Sequence, residues 1–311
     1  MTPEALEARR LGLGGTDIAA ILGLNPYHSP MGVYLEKLNL VEPQPDRMTM
    51  KIGRYLEPVL HRLYCEEVNL DEGWLREIPP IIHPLEPWRR GSPDRICPGL
   101  SRGVEFKTAG IRQAKFWGDV ESDEVPEPYL VQCAWYMSLT GYAHWDVAAL
   151  LGGQDFRVYH LHRDLELEAM MLEAGRKFWF EHIIAQVPPP LDSTRATDAY
   201  LLSRFPTHSE TMLAMTDAHV HLAYAYVQAK RMMETYEIQK DTLAAQLKEA
   251  IGEFAGMQGD GVKITWKKTR DGSCTDWNAV AKAMNAPNDI IVAHTIQKPG
   301  VRRFLATIKE E

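Results

Sequence analysis

The chain lacks a long apolar run. No stretch of its 311 residues approaches the roughly 18 or more consecutive apolar residues of a membrane span, so a spanning helix is excluded as an organising element. Cysteine is sparse. Cys65, Cys97, Cys133 and Cys274 are scattered, with no CxxC pair and no zinc spacing. That pattern argues against a structural zinc or an iron–sulfur cluster and for reduced thiols in a cytosolic protein. The opening Met1-Thr-Pro-Glu-Ala-Leu-Glu7 has no basic segment followed by an apolar core, so no secretory signal is expected. Internal repeats and low-complexity segments are also missing. Positive charge is outweighed: 34 Lys and Arg stand against 42 Asp and Glu, for a net charge of −8. Taken alone, that balance argues against a nucleic-acid binder.

What is present is an ordinary globular composition, 45% hydrophobic and 24% charged, with its charge unevenly placed. Between Glu86 and Lys115 seven bases stand against three acids, whereas Asp119 to Glu127 carries five acids and no base. A basic face on an acidic chain can still meet DNA, because phosphate contacts act over a Debye length of about 10 Å.

Hydrophobic periodicity organises the rest. Helices are expected over 4–23, with Thr16 as N-cap of its second half, over 30–40, and over 48–68 with Ile52, Leu56, Val59, Leu60, Leu63 and Tyr64 on its apolar face. Strands are expected over Gly73–Pro84, Trp88–Ile96 and Gly103–Lys107, the last two joined by a Pro98/Gly99/Ser101/Gly103 turn. A helix from Pro126 to Leu139 puts Tyr129, Gln132 and Tyr136 on one face. Strands at 146–151 and 156–162 and a helix over 164–184 follow. This order predicts an α+β or α/β core with a mixed central sheet flanked by helices. Val187-Pro-Pro-Pro-Leu191 punctuates the chain, giving an expected domain over 1–190 and a C-terminal helical arm with a small β region over 191–311. In the latter, residues 197–204 read as a short helix and 209–255 as a long helix or helical hairpin. That hairpin or helix is either a coiled-coil arm or, preferably, packed on the preceding domain. A strand at 262–268, a turn at Asp271-Gly272, a short helix near Trp277–Met284 and a final strand at 301–309 complete it.

The chemistry concentrates between Arg90 and Ala109. In an extended strand Glu105 and Lys107 share a face while Val104 and Phe106 take the other. Asp94, stiffened by Pro93, sits on the neighbouring strand. Two carboxylates and a lysine at one point suit Mg²⁺, with its preference for hard oxygen ligands, and an attacking water. A solvated surface hairpin carries the same three residue types, and at this level both readings stand. Glu57 beside its helix stripe reads equally as a rim residue. Other features point less far. His160 and His162 share a strand face but have no third ligand in view. His219 and His221 diverge on a helix. Ser92 has no histidine constellation to activate it. The tryptophans read mostly as core or rim.

The order of the motifs carries more than any one of them. Arg10-Leu-Gly-Leu-Gly-Gly-Thr16-Asp-Ile-Ala-Ala-Ile-Leu-Gly23, Gly53-Arg-Tyr-Leu-Glu57, Ser92-Pro-Asp94, Glu105-Phe-Lys107 and Gln132-Cys-Ala-Trp-Tyr136 occur in sequence over residues 8–185. Together they resemble the PD-(D/E)xK nucleases, and within them the lambda-exonuclease-like branch of YqaJ-type viral recombinase nucleases. The resemblance implies a restriction-endonuclease-like core and a metal-dependent 5′-to-3′ exonuclease on linear double-stranded DNA. The cofactor would be Mg²⁺, or Mn²⁺ in its place. Asp94, Glu105, the Phe106 carbonyl and Glu57 would hold the metal, and Lys107 would orient and activate the water. Gln132 and Tyr136 would place the scissile phosphate or the lysine, and Arg10, Thr16 and Ser92 would line a pocket for a terminal 5′-phosphate. Thr16 as an N-cap and Arg10 as a surface charge remain the local alternatives. Also implied are double-stranded DNA ends as substrate, a single-strand annealing protein as partner, a ring-shaped homotrimer, and a phage or prophage origin with action in the bacterial cytoplasm. An endonuclease on the same core and a catalytically silent DNA-end-binding scaffold are the alternative functions.

Overall fold

One long strand paired on both sides organises the first part of the chain. The computed structural model describes residues 3–42, 47–120 and 122–268 and, further on, 277, 280–281, 284–285 and 287–294. Its elements run α1 (Pro3–Arg10), α2 (Gly15–Ile21), α3 (Pro30–Lys37), α4 (Met48–Glu67), β1 (Ile81–Ile82), β2 (Arg90–Gly91), β3 (Arg95–Cys97), β4 (Arg102–Ala109), α5 (Glu127–Thr140), β5 (His144–Leu151), β6 (Asp155–His162), α6 (Leu165–Phe178), α7 (Arg195–Arg204), α8 (Asp217–Ile251), β7 (Gly256–Gly259) and β8 (Val262–Thr265). The central sheet has the order β3-β4-β5-β6. β4 is antiparallel to β3 and parallel to β5, and β6 returns antiparallel. This is the mixed α+β architecture expected from the order of elements. A parallel pair needs a crossover, and α5 supplies it between β4 and β5, which places that helix against the sheet.

The two faces of the sheet bury different things. Val104, Phe106, Ala148 and Val158 pack with Leu60, Tyr64 and Cys65 of α4. On the other face Val147, Ala149 and Tyr159 join the larger core built from α2, α3, α5 and α6. Asp146, fully buried, ties the α4 face together. Its Oδ2 accepts from the Tyr64 hydroxyl at 2.6 Å and from Arg102 at 3.0 Å, and its Oδ1 lies 2.9 Å from His160 Nδ1. Burial and the neighbouring Asp146 charge both push the Tyr64 phenol upward. His160 therefore has a carboxylate partner, and His162 stacks edge-on with His144 at 4.9 Å.

Several elements differ from the sequence expectation for identifiable reasons. The single helix over 4–23 is two helices. Leu13 donates its N–H to Trp88 and accepts from Arg90, pairing beside Arg89. A Cβ on Gly12 would lie 2.5 Å from the Trp88 carbonyl. The N-cap of α2 is Gly14 rather than Thr16, and the Asp17 carboxylate reaches back to the Gly14 N–H at 2.8 Å. The strand over 73–84 shrinks to β1 because Pro79, Pro80 and Pro84 donate nothing to a ladder. The strand over 88–96 is split at Ser92-Pro93-Asp94 into β2 and β3. On α4 only Leu60, Tyr64 and Cys65 are buried, while Ile52 and Val59 are exposed.

The chain divides into two compact units, Met1–Pro206 and a second beginning at Thr207. The first thus extends past the expected boundary at 190. Tyr200 of α7 meets Tyr34 of α3 edge-on at 6.4 Å, and Ser29 hydrogen-bonds Thr194. In the second unit residues 217–251 form one continuous helix, and β8 pairs antiparallel with β7. The expected strand at 301–309, the turn at Asp271-Gly272 and Cys274 lie outside the described residues.

Asp17 anchors α2. It is buried, and its Oδ2 lies 2.6 Å from Lys37 Nζ of α3, whose ammonium also donates to the Arg9 carbonyl. Burial would raise this carboxyl, but Lys37, Arg9 and the Gly14 N–H outweigh it and hold it below the usual range. Asp17→Ala leaves Lys37 buried without its counter-ion and should destabilise the protein by about 3–5 kcal/mol, read by denaturant unfolding. A loss below about 1 kcal/mol would show that the pair behaves as a surface ion pair.

Candidate active site

The sequence break at Pro93 builds the site. The β3–β4 ladder ends at Arg95 opposite Val104, so the next inward N–H on β4, that of Phe106, has no strand partner on that side. The Asp94 carboxylate takes it: Oδ2 accepts from Phe106 N at 2.7 Å. Asp94 is thereby fixed beside Glu105 and Lys107, both on the α5 face of β4.

Gln132 of α5 closes the group. Glu105 Oε1 accepts from Lys107 Nζ at 2.6 Å and from Gln132 Nε2 at 2.7 Å, and Lys107 also donates to Gln132 Oε1 at 3.0 Å. Gln132 Nε2 reaches the Tyr136 hydroxyl at 3.0 Å, and that hydroxyl donates to the Ser92 carbonyl at 3.3 Å. The circuit therefore returns to the Ser92-Pro93-Asp94 segment between β2 and β3. The Lys107 ammonium lies 4.9 Å from the centre of the Tyr129 ring, a cation–π contact. Trp117 also packs on Tyr129, with ring centres 5.5 Å apart. Gly15 of α2 sits directly on Gln132, where a Cβ would come within 2.9 Å of the Gln132 backbone. The Gly14-Gly15 pair thus lets α2 approach α5 at the residue that holds the lysine.

The electrostatics follow from burial. Glu105 is sealed, and desolvation drives its carboxyl up to about 7. Lys107 opposes that rise and Asp94 adds to it. Asp94 is likewise raised by burial, against Lys107 and the Phe106 N–H. The Lys107 ammonium is held well above its ordinary value: burial acts against it, but Glu105 and Asp94 outweigh burial, so it stays protonated. Burial and the Glu105 charge push the Tyr136 hydroxyl and the Cys133 thiol far up, so both stay neutral.

The acids suit a hard divalent cation on one specific observation. Glu105 Oε2 is buried with no hydrogen-bond partner, and a buried carboxylate oxygen left in that state is costly unless something positive meets it. Glu57 stands at the side. Burial and the Asp94 charge raise its carboxyl, which places it within electrostatic reach. Among the described residues, however, no three His, Cys, Asp or Glu side chains gather closely enough to hold a metal, so Glu57, Asp94 and Glu105 do not form a three-carboxylate cluster. A two-carboxylate site leaves coordination positions to water and phosphate, the usual habit of Mg²⁺.

The three residues expected at a terminal phosphate come from segments that meet. The Leu13–Arg89 pairing joins the connection between α1 and α2, which Arg10 and Thr16 flank, to the segment that leads to Ser92. Arg10 is bonded to Glu7, and its Nε is buried with no partner. Thr16 and Ser92 are both exposed, Thr16 in the first turn of α2. Sequence reasoning missed the Asp17–Lys37 pair behind this corner. Its only sequence trace is an acid next to an apolar helix stripe, a pattern that surface residues share.

Comparison with known proteins finds several to which the chain is similar. Residues 4–143 match the YqaJ-like viral recombinase domain. The uncharacterized protein YqaJ of Bacillus subtilis (strain 168) is 29% identical over 253 residues, which cover 80% of this chain and 77% of that protein. Protein D345L of African swine fever virus (strain Badajoz 1971 Vero-adapted) is 32% identical over 98 residues, 29% of this chain and 26% of that protein. Among solved structures, an alkaline exonuclease (LHK-Exo) from Laribacter hongkongensis is similar with TM-score 0.48 and 19% identity, over 60% of this chain and 94% of that one. A phage related exonuclease from Haemophilus somnus 129PT is similar with TM-score 0.44 and 14% identity, over 57% and 96%.

The raised Glu105 carboxyl has a measurable sign. Its folded value near 7 lies above the ordinary 4.5, so its stabilising contribution is full below about pH 4.5 and is lost as pH rises through about 7. In chelator, the thermal midpoint of the wild type should fall from about pH 5 to pH 8 relative to Glu105→Gln, and a divalent ion should restore it. Parallel pH profiles for the two proteins would show that Glu105 titrates normally.

Proposed function

We propose that the protein is a metal-dependent deoxyribonuclease, a reading supported by the similarity of residues 4–143 to the YqaJ-like viral recombinase domain. In this reading it is a 5′-to-3′ exonuclease on linear double-stranded DNA that exposes single strands for an annealing partner in phage-type recombination. The observation that carries the reading is the buried Asp94–Glu105–Lys107–Gln132 group with its unpartnered Glu105 Oε2.

Each residue has a role that its surroundings support. Asp94 and Glu105, with the Phe106 carbonyl, would hold the cation, Mg²⁺ or Mn²⁺, and Glu57 would stand beside them as a further acid within electrostatic reach. When bound, that cation supplies Lewis acidity to the phosphate and to the attacking water. Lys107, kept protonated by its two acids, orients the water and neutralises charge that grows on the phosphate. Gln132 fixes the lysine, and Tyr136 fixes Gln132 to the Ser92 backbone. In-line attack leaves a 5′-phosphate and a 3′-hydroxyl. Arg10, Thr16 and Ser92 line the pocket for a terminal 5′-phosphate, and the unpartnered Arg10 Nε is the donor available there. The site of action is the cytoplasm of a bacterial host, and among the described residues no helix is long and apolar enough to cross a membrane. By family resemblance the working assembly is a homotrimer.

The test is release of nucleotides from linear 5′-phosphorylated duplex with Mg²⁺. Lys107→Ala and Glu105→Gln should each cut the rate by about a hundredfold or more. Arg10→Ala should instead erase the preference for a 5′-phosphate over a 5′-hydroxyl end. No nucleotide release, or release that survives Lys107→Ala, would sink the proposal. Cleavage of covalently closed circles would reassign the site to an endonuclease.

A further inference from the structure

α8 presents a coiled-coil seam. From Leu222 the chain steps alternately four and three residues through Tyr226, Ala229, Met233 and Tyr236 and on to Leu247, a 3.5-residue repeat sustained over almost four heptads. The helix is 35 residues long, or about 52 Å. Its seam is open in the described structure: Leu222 is 69% exposed, Met233 73%, Tyr236 63% and Leu243 51%. The two residues of α8 that are buried, Val227 and Ile251, lie off this seam. So large an apolar stripe on water marks an interaction surface.

We propose that this seam pairs antiparallel with α8 of a second copy of the chain. The charges select both the occupant and its direction. In a parallel homodimer Lys240, which occupies a seam position, would face its own copy, a like-charge contact at the core. In the antiparallel register Lys240 faces the small Ala229 of the partner subunit, over which its stem can lie while the ammonium reaches water. The same register sets Met233 against Tyr236 of the partner subunit, Tyr226 against Leu243 of the partner subunit, and Leu222 against Leu247 of the partner subunit. Each layer occurs twice by the two-fold symmetry of such an interface. Beside the seam, Lys230 faces Glu237 of the partner subunit, and Glu237 faces Lys230 of the partner subunit. Within one helix these residues hold only exposed neighbours, Lys230 with Glu234 at 3.8 Å and Lys240 with Glu237. Such exposed pairs contribute little and are readily exchanged. Two tyrosines, three leucines and a methionine per copy supply area of the order a stable interface takes, about 800 Å² per partner.

The test is sedimentation equilibrium of the full chain over a range of concentrations. The expected result is a mass of two chains, or of six where the homotrimer of the proposed function also forms, since each α8 then pairs with one on a second trimer. Met233→Glu should abolish this association, and Lys230→Glu should weaken it about tenfold. Combining Lys230→Glu with Glu237→Lys restores both cross-helix pairs and should recover it. All three positions are exposed, so circular dichroism should show these variants folded as the wild type is. A chain that stays monomeric, an association indifferent to Met233→Glu, or a Lys230→Glu defect that the double change does not recover would overturn the proposal.

Discussion

A carboxylate sealed between a sheet and a helix is the constraint on which the first unit depends. Glu105 projects from β4 into the space under α5, where water cannot solvate it. The structure answers with Lys107 and Gln132 on one oxygen and leaves the other without a protein partner. Burying an ion in this way is expensive unless its partners are held rigidly, and the surrounding architecture supplies that rigidity. The crossover helix brings Gln132 over the strand. Tyr136 ties α5 back to the Ser92 carbonyl, and Gly15 lets α2 seat directly on the Gln132 backbone. The Asp17–Lys37 pair fixes α2 in turn.

The same constraint shapes the chemistry. A carboxyl raised toward neutrality, next to a lysine held protonated, stores unfavourable electrostatics that a bound cation relieves. A proton and the cation of the proposed function would therefore compete for Glu105. The opposite face of the sheet shows the contrast. There Asp146 is just as buried, but Tyr64, Arg102 and His160 occupy its oxygens from α4, β4 and β6. That satisfied network reads as structural, whereas the half-satisfied one reads as a site.

Legibility followed the range of the interactions. The alternation along Val104-Glu-Phe-Lys107 shows which side chains share a face, and Tyr129, Gln132 and Tyr136 share a helix face by spacing alone. Both patterns appear in the structure as read. The split of β2 from β3 was half visible, since Pro93 was recognised as a stiffener but not as the end of a ladder. The division of the first helix was hidden, because Leu13 leaves helical geometry to pair with the segment around Arg89, more than seventy residues away. Asp17 was hidden for the same reason: its partner lies on α3, and nothing local marks it as buried.

The sequence by itself determined the order of elements and the residue types at the acidic centre. These depend on periodicities of two and 3.6 residues and on proline and glycine at fixed places. Only the tertiary structure decided which acid is desolvated, which oxygen stays unpartnered and which residue serves as the cap of α2. Burial and hydrogen-bond completion are properties of surroundings assembled from distant segments, and the value of a charged group is set by those surroundings rather than by its neighbours in the chain.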